Sequence, residues 1–286
     1  MSARAGRADA AGTIELGDLA VNRFGFGAMR LTGEGVWGTP EDPKEARSVL
    51  RCAVDLGINF IDTADSYGPE VSERLIAEAL APYPEGLVIA TKGGLVRPGP
   101  GEWRRDGRPE RLRKACEASL ERLGLERIDL YQLHAIDDEV PLAESVGALA
   151  ELREEGKIRH VGLSNVDADQ LAEAREIVPV VSVQNRYGLA DRDSDALLEA
   201  CEREGLAFIP WFPLGAGTLP EAEAIDRVAE AHDATPFQIA LAWVLARSPA
   251  TLPIAGTSST EHLRENVAAA TIELSAAEIA ELDRIA

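Results

Sequence analysis

No stretch of this 286-residue chain approaches the roughly 20 apolar residues that a membrane-spanning helix needs. The opening MSARAGRADAAG has arginines but no apolar run behind them, so residues 1–12 are expected to be a short disordered tail on a soluble, cytoplasmic protein. Basic charge is scarce as well. The 29 Lys and Arg stand against 49 Asp and Glu, and the resulting net charge of −20 repels phosphate backbones and anionic lipid, which excludes nucleic acid and membrane surfaces as partners. The three cysteines, Cys52, Cys116 and Cys201, are odd in number and far apart, so neither a disulfide nor a metal site is expected. Also missing, after the first apolar run, is the Gly-x-Gly-x-x-Gly turn of open dinucleotide-binding sheets.

What is present is alternation. Short apolar runs at 25–29, 59–62, 87–91, 128–134, 160–163, 180–184, 207–211 and 251–255 read as strands. Between and after them lie stretches of helical period at 44–56, 71–81, 110–123, 142–155, 167–177, 194–204, 236–247 and 275–285. Eight strand–helix units without a linker predict one domain over 13–286, a (β/α)8 barrel with a parallel sheet. TIELGDLAVNRFGFG before the first strand reads as a hairpin closing the barrel floor, and 221–232 and 259–269 as extra short helices near the last two strands.

In such barrels the chemistry sits at the C-terminal strand ends. The second strand runs into FIDTADSYG, delivering Asp62 and Tyr67; the third ends VIATKGG in Lys92; the fourth ends LYQLHA in His134. Only four of the basic residues are lysine, and Lys92 alone of these ends an apolar strand. A rim lysine can act through a shifted pKa, which arginine cannot. Asp65 reads as a loop carboxylate or turn cap, and His160 and His232 as structural or solvated.

FIDTADSYG, VIATKGG and LYQLHA in this order, followed by IRHVGLSN, VQNRYG, WFPLGAG and GTSSTEHLREN, resemble the aldo-keto reductases over nearly the whole chain from about residue 14. Within that family the chain is most similar to bacterial NADPH-dependent members that include pyridoxal reductase. The resemblance implies carbonyl reduction by hydride transfer, with Asp62, Tyr67, Lys92 and His134 as the catalytic tetrad. Tyr67 would be the acid, its pKa lowered by Lys92, which Asp62 holds; His134 would orient the substrate oxygen.

The resemblance further implies a nicotinamide held by Ser164, Asn165, Gln184 and a stacked Trp211, with Ala28 and Met29 also on the cofactor. Ser164 and Asn165 read equally as caps for the helix near Asp167. Pro213, Leu214 and Gly215 would cradle the pyrophosphate. Thr257, Ser258, His262 and Asn266 would surround a 2′-phosphate, and Glu265 the adenine. Ser258 or Ser259 can cap the helix at that point. Many members carry lysine and arginine where this chain has Gly256 and His262, so NADPH is expected with NADH as the alternative. Potassium-channel β subunits share the glycine-and-serine version and still bind the phosphorylated cofactor.

Substrate loops are expected to present Trp37 and Trp103. Arg97, Arg104, Arg105 and Arg108 either balance local acids in solvent or draw an anionic aldehyde. Two other functions remain open at this level, a cofactor-binding regulatory subunit and a Schiff-base lyase using Lys92. The family contains monomers and higher assemblies, so no oligomeric state is assigned.

Overall fold

The computed structural model describes residues 6–285. A hairpin of β1 (Thr13–Leu16) and β2 (Leu19–Asn22) precedes β3 (Phe26–Gly27), β4 (Phe60–Asp62) and β5 (Val88–Gly93). A small antiparallel ribbon, β6 (Leu95–Val96) and β7 (Arg104–Arg105), then leads to β8 (Ile128–Leu133), β9 (Ile158–Ser164), β10 (Val180–Gln184) and β11 (Ala207–Phe208). Strands β3, β4, β5, β8, β9, β10 and β11 form one parallel sheet in that order.

Residues 251–254 close the sheet into a (β/α)8 barrel through isolated bridges, Phe208 to Thr251 on one side and Gly25 to Ile254 on the other. The expected eighth strand is thus reduced to bridges. Pro253 has no N–H for a ladder, although its carbonyl accepts from Gly25 N at 2.9 Å.

The helices are α1 (Pro43–Asp55), α2 (Val71–Leu80), α3 (Pro109–Leu123), α4 (Leu142–Glu154), α5 (Ala168–Arg175), α6 (Asp195–Glu204), α7 (Glu223–Ala231), α8 (Pro236–Arg247), α9 (Thr260–Ala268) and α10 (Ala276–Leu282). The two surplus segments are therefore helices α7 and α9. Local chemistry sets several of their starts: Asp42 caps α1 ahead of Pro43, and capping boxes open α5, α8 and α10.

Period-two alternation sorts the strand residues into two cores. Phe60, Val88, Ala90, Leu130, Ala207 and Leu252 fill the barrel interior, plugged from below by Leu16 and Val21 of the hairpin. Their neighbours Ile61, Ile89, Tyr131 and Leu133 face the helices. Under the floor, Asp18 binds both Arg159 and His160, latching the hairpin; His160 is structural, as its position suggested.

The expected tail is ordered in its described part. Residues Ala8–Ala11 form a 3-10 turn, Ala8 is fully buried, and Ala8 N donates to Leu56 O at 2.9 Å. Small apolar alanines let this segment pack where a charged tail would stay in water; residues 1–5 lie outside the described residues. Among the described residues no helix is long and apolar enough to cross a membrane.

Candidate active site

Above the apolar interior the same inward positions turn polar. Asp62 ends β4, Lys92 lies one step beyond Ala90 in β5, Gln132 follows Leu130 in β8, and Gln184 ends β10. Lys92 is completely buried, and its Nζ donates to Asp62 Oδ1 at 2.5 Å, Thr63 O at 2.8 Å and Tyr67 Oη at 3.4 Å. Gln132 and Gln184 donate to Asp62 Oδ2 at 3.0 and 2.8 Å. The carboxylate is thereby satisfied by three donors, as a buried charge requires. Gln132 was not singled out from the sequence; its only signal was a polar residue at an inward position of an apolar strand.

Tyr67 and His134, each 7% exposed, meet edge to face with ring centroids 5.7 Å apart. His134 Nδ1 lies 3.4 Å from Ser66 Oγ. The four expected tetrad residues therefore lie together, Asp62, Tyr67 and His134 lining the cavity and Lys92 buried behind them. Burial pulls Lys92 down, but Asp62 and Tyr67 together hold its pKa above the ordinary lysine value, so it is a fixed cation. Burial, with help from Lys92, pushes His134 well below the usual histidine range, leaving a neutral imidazole. For Tyr67 the expectation is corrected: burial outweighs the attraction of Lys92, and the phenol's pKa is raised rather than lowered. The phenol accordingly keeps its proton at neutral pH.

Asp65 lies in the turn after β4, as its position suggested, but it is only 6% exposed, and its Oδ1 has no partner among the described residues. Burial, then the charge of Glu73, pushes its carboxyl up to about 7, against the opposing pull of Arg111. An unfolded aspartate ionises near pH 4, so between about pH 4 and 7 the folded protein retains a proton that the unfolded chain has lost. Stability therefore falls as pH rises through that window. Asp65→Asn should raise stability by about 1–3 kcal/mol at pH 8 and leave it unchanged near pH 4. Thermal melts at the two pH values check this; equal differences at both would refute the assignment.

A cavity of about 800 Å³ is lined by Tyr67 and His134, by Met29, Ser164, Asn165, Gln184 and Trp211, and by Pro213, Leu214, Gly256, Thr257, Ser258, His262, Glu265 and Asn266. Trp103 also faces it, together with Phe212 and Phe237, which sequence reading missed. Ala28, Gly215 and Trp37 do not line it: Ala28 is buried, with its carbonyl accepting from Ser72 Oγ, and Trp37 stacks near Arg97 instead.

Asn165 has a left-handed φ of 58°. Its Nδ2 donates to His134 O at 2.9 Å, and its Oδ1 accepts from Trp211 Nε1 at 3.2 Å. It does not cap the following helix; Asp167 does, with Gln170. The cap of α9 is Ser259, accepting from His262 N, and Thr257 Oγ1 accepts from Ser259 N. Thr260 N donates to Glu45 Oε1 at 3.2 Å, so an acid already holds one amide of that helix start. A Cβ on Gly256 would fall 2.3 Å from Gly27 O, and this close approach of two barrel segments explains why no lysine stands there. The arginine-rich loop is largely paired: Arg105 with Asp138, and Arg108 with Asp106 in a two-bond fork.

Residues 23–286 match the profile of the Aldo/keto reductase family. The chain belongs to the aldo/keto reductase family. It is 53% identical over 277 residues to an uncharacterized oxidoreductase of Schizosaccharomyces pombe, covering 96% of this chain and 90% of the relative. It is 45% identical over 279 residues to pyridoxine 4-dehydrogenase of Escherichia coli, covering 96% and 98%. An aldo-keto reductase of Klebsiella pneumoniae solved with NADPH superposes with a TM-score of 0.81 at 31% identity, covering 95% of this chain and 94% of that one.

Membership places the protein among the oxidoreductases of that family. The cavity suits a nicotinamide nucleotide, because side-chain amides, an indole and the start of α9 are among the groups that line it. The lyase alternative meets an obstacle in Lys92 itself. A protonated amine with all three hydrogens engaged has no lone pair for a carbonyl.

Proposed function

We propose that the protein reduces a compact aldehyde or ketone to the alcohol with NADPH, Tyr67 acting as the general acid. The observation that carries this reading is the Lys92 ammonium set between Asp62 and Tyr67 beside His134, at the closed end of the cavity. The nicotinamide supplies the hydride when bound. Tyr67, kept protonated by burial, gives its proton to the oxygen that gains electrons, and Lys92 stabilises the phenolate left behind. Asp62 keeps Lys92 charged and aimed. His134 uses Nδ1 on Ser66, leaving Nε2 for the carbonyl oxygen.

Ser164, Asn165 and Gln184 would hold the nicotinamide amide; the Gln184 NH2 is engaged by Asp62, so its carbonyl would be the group that accepts. Trp211 would stack on the ring, Pro213 and Leu214 would border the pyrophosphate, and Thr257, Ser258, His262 and Asn266, which also line the cavity, would surround the 2′-phosphate. Similarity to pyridoxine 4-dehydrogenase supports an aromatic aldehyde such as pyridoxal as substrate.

The test is a titration with NADPH and NADH followed by intrinsic tryptophan fluorescence, then cofactor oxidation on a panel of aldehydes including pyridoxal. Absence of binding to either nucleotide would overturn the proposal, and binding without turnover would favour a regulatory subunit. Glu45→Gln belongs in the same experiment. Removing a carboxylate from the start of α9 should tighten NADPH about three- to tenfold and leave NADH unchanged. An equal effect on both nucleotides would place the 2′-phosphate elsewhere.

A further inference from the structure

We propose that Arg97 is a positioning residue that builds the substrate wall of the cavity and makes it selective for neutral, flat carbonyl compounds; this rests on the reductase reading above. Arg97 follows β6 and is 9% exposed. A buried guanidinium ordinarily faces a carboxylate, but among the described residues Arg97 has no acidic partner. Its hydrogen bonds go to peptide carbonyls on three separate loops. Nε donates to Glu102 O at 2.8 Å, Nη1 to Val36 O at 2.7 Å and Ser66 O at 3.5 Å, and Nη2 to Gly35 O at 3.0 Å.

The same group lies over two indoles, with its carbon 3.8 Å from the Trp103 ring centroid and 5.6 Å from that of Trp37. Trp103 is 42% exposed and lines the cavity, so the guanidinium is its support from behind. One of the clamped loops is strained. Val36 has φ 57°, a left-handed conformation that a β-branched residue strongly disfavours, following Gly35 at 66°. Val36 also lines the cavity, and its carbonyl is the acceptor of the shortest Arg97 bond.

That loop docks directly beside the proton donor. Gly68 N donates to Val36 O at 3.3 Å and Gly38 N to Gly68 O at 2.7 Å, where Gly68 is the residue after Tyr67. Arg97 thereby fixes Val36, Leu95 and Trp103 as one apolar wall at a set distance from Tyr67. Every nitrogen of its guanidinium is turned to a carbonyl and four of the five N–H groups are spent, which leaves a single Nη2 hydrogen to meet an anionic substrate. The arginine-rich loop accordingly acts as architecture at Arg97, in place of both roles its composition left open, the solvated balance of local acids and the lure for an anionic aldehyde.

The experiment compares wild type, Arg97→Met and Arg97→Lys with benzaldehyde, 4-carboxybenzaldehyde and propanal. Arg97→Met should raise KM for benzaldehyde about tenfold while kcat and NADPH affinity stay within about threefold, and KM for propanal should hardly change. Arg97→Lys should resemble Arg97→Met, because an ammonium cannot span three loops or support an indole. Full rescue by lysine, a KM rise confined to 4-carboxybenzaldehyde, or a lower Tm with unchanged KM ratios would each overturn the proposal.

Hydrogen exchange at the Gly38 and Gly68 amides gives a readout free of turnover. Faster exchange in Arg97→Met supports the clamp and unchanged exchange refutes it, even if the wild type reduces none of the three aldehydes and the reductase reading itself falls.

Discussion

Tyr67→Phe will lower kcat for carbonyl reduction by about two to four orders of magnitude while nicotinamide nucleotide affinity stays within about twofold. The phenylalanine ring keeps the edge-to-face contact with His134 and the cation above the ring, since both depend on the ring's position. What it lacks is the hydroxyl proton. Lys92 retains its bonds to Asp62 and Thr63, so the variant should melt close to wild type. The wild-type pH profile adds an independent check. Burial raises the Tyr67 pKa and lowers that of His134 well below 6.5, so neither group titrates between about pH 6.5 and 9 and kcat should be flat there. A steep fall across that window, or undiminished reduction by Tyr67→Phe, would remove Tyr67 from the role of acid.

How much of this was legible depends on the kind of interaction. The strands at 128–134 and 180–184 stood out because their apolar runs match β8 and β10 nearly residue for residue. Where the expected tetrad residues fall was legible for Asp62, Lys92 and His134, because each breaks an apolar run at or just past a strand end, and the alternation that buries Phe60 and Ala90 also carries Asp62 and Lys92 inward; Tyr67 lies in the turn beyond β4. Gln132 obeys the same alternation, but glutamine carries no charge and drew no notice. The tail failed because packing of Ala8 against α1 is a tertiary event with no local pattern. Arg97 and Glu45 failed for a related reason: their partners are backbone carbonyls and amides on other loops, and backbone groups leave no signature in side-chain order. The Tyr67 pKa was misjudged because a sequence shows which charge stands near the phenol and not how much water is excluded around it.

The second large effect separates what Lys92 does for folding from what it does for chemistry. Lys92→Met leaves the Asp62 carboxylate, 1% exposed, with only the amides of Gln132 and Gln184 for support. Removing one partner of a buried ion pair costs about 3–5 kcal/mol. In a domain of this size that lowers Tm by roughly 5–15 °C. Activity should fall as well, because Tyr67 loses the one neighbouring cation that opposes its burial. The double variant Lys92→Met with Asp62→Asn has no buried charge to strand, so it should recover at least half of the lost stability while remaining as inactive as the single variant. Non-additivity is the decisive quantity, measured by thermal melts and kcat on the four members of the cycle. A double variant as unstable as the sum of its singles would mean that Lys92 and Asp62 stabilise the barrel separately. A double variant that regains turnover would mean that the ammonium beside Tyr67 serves packing alone.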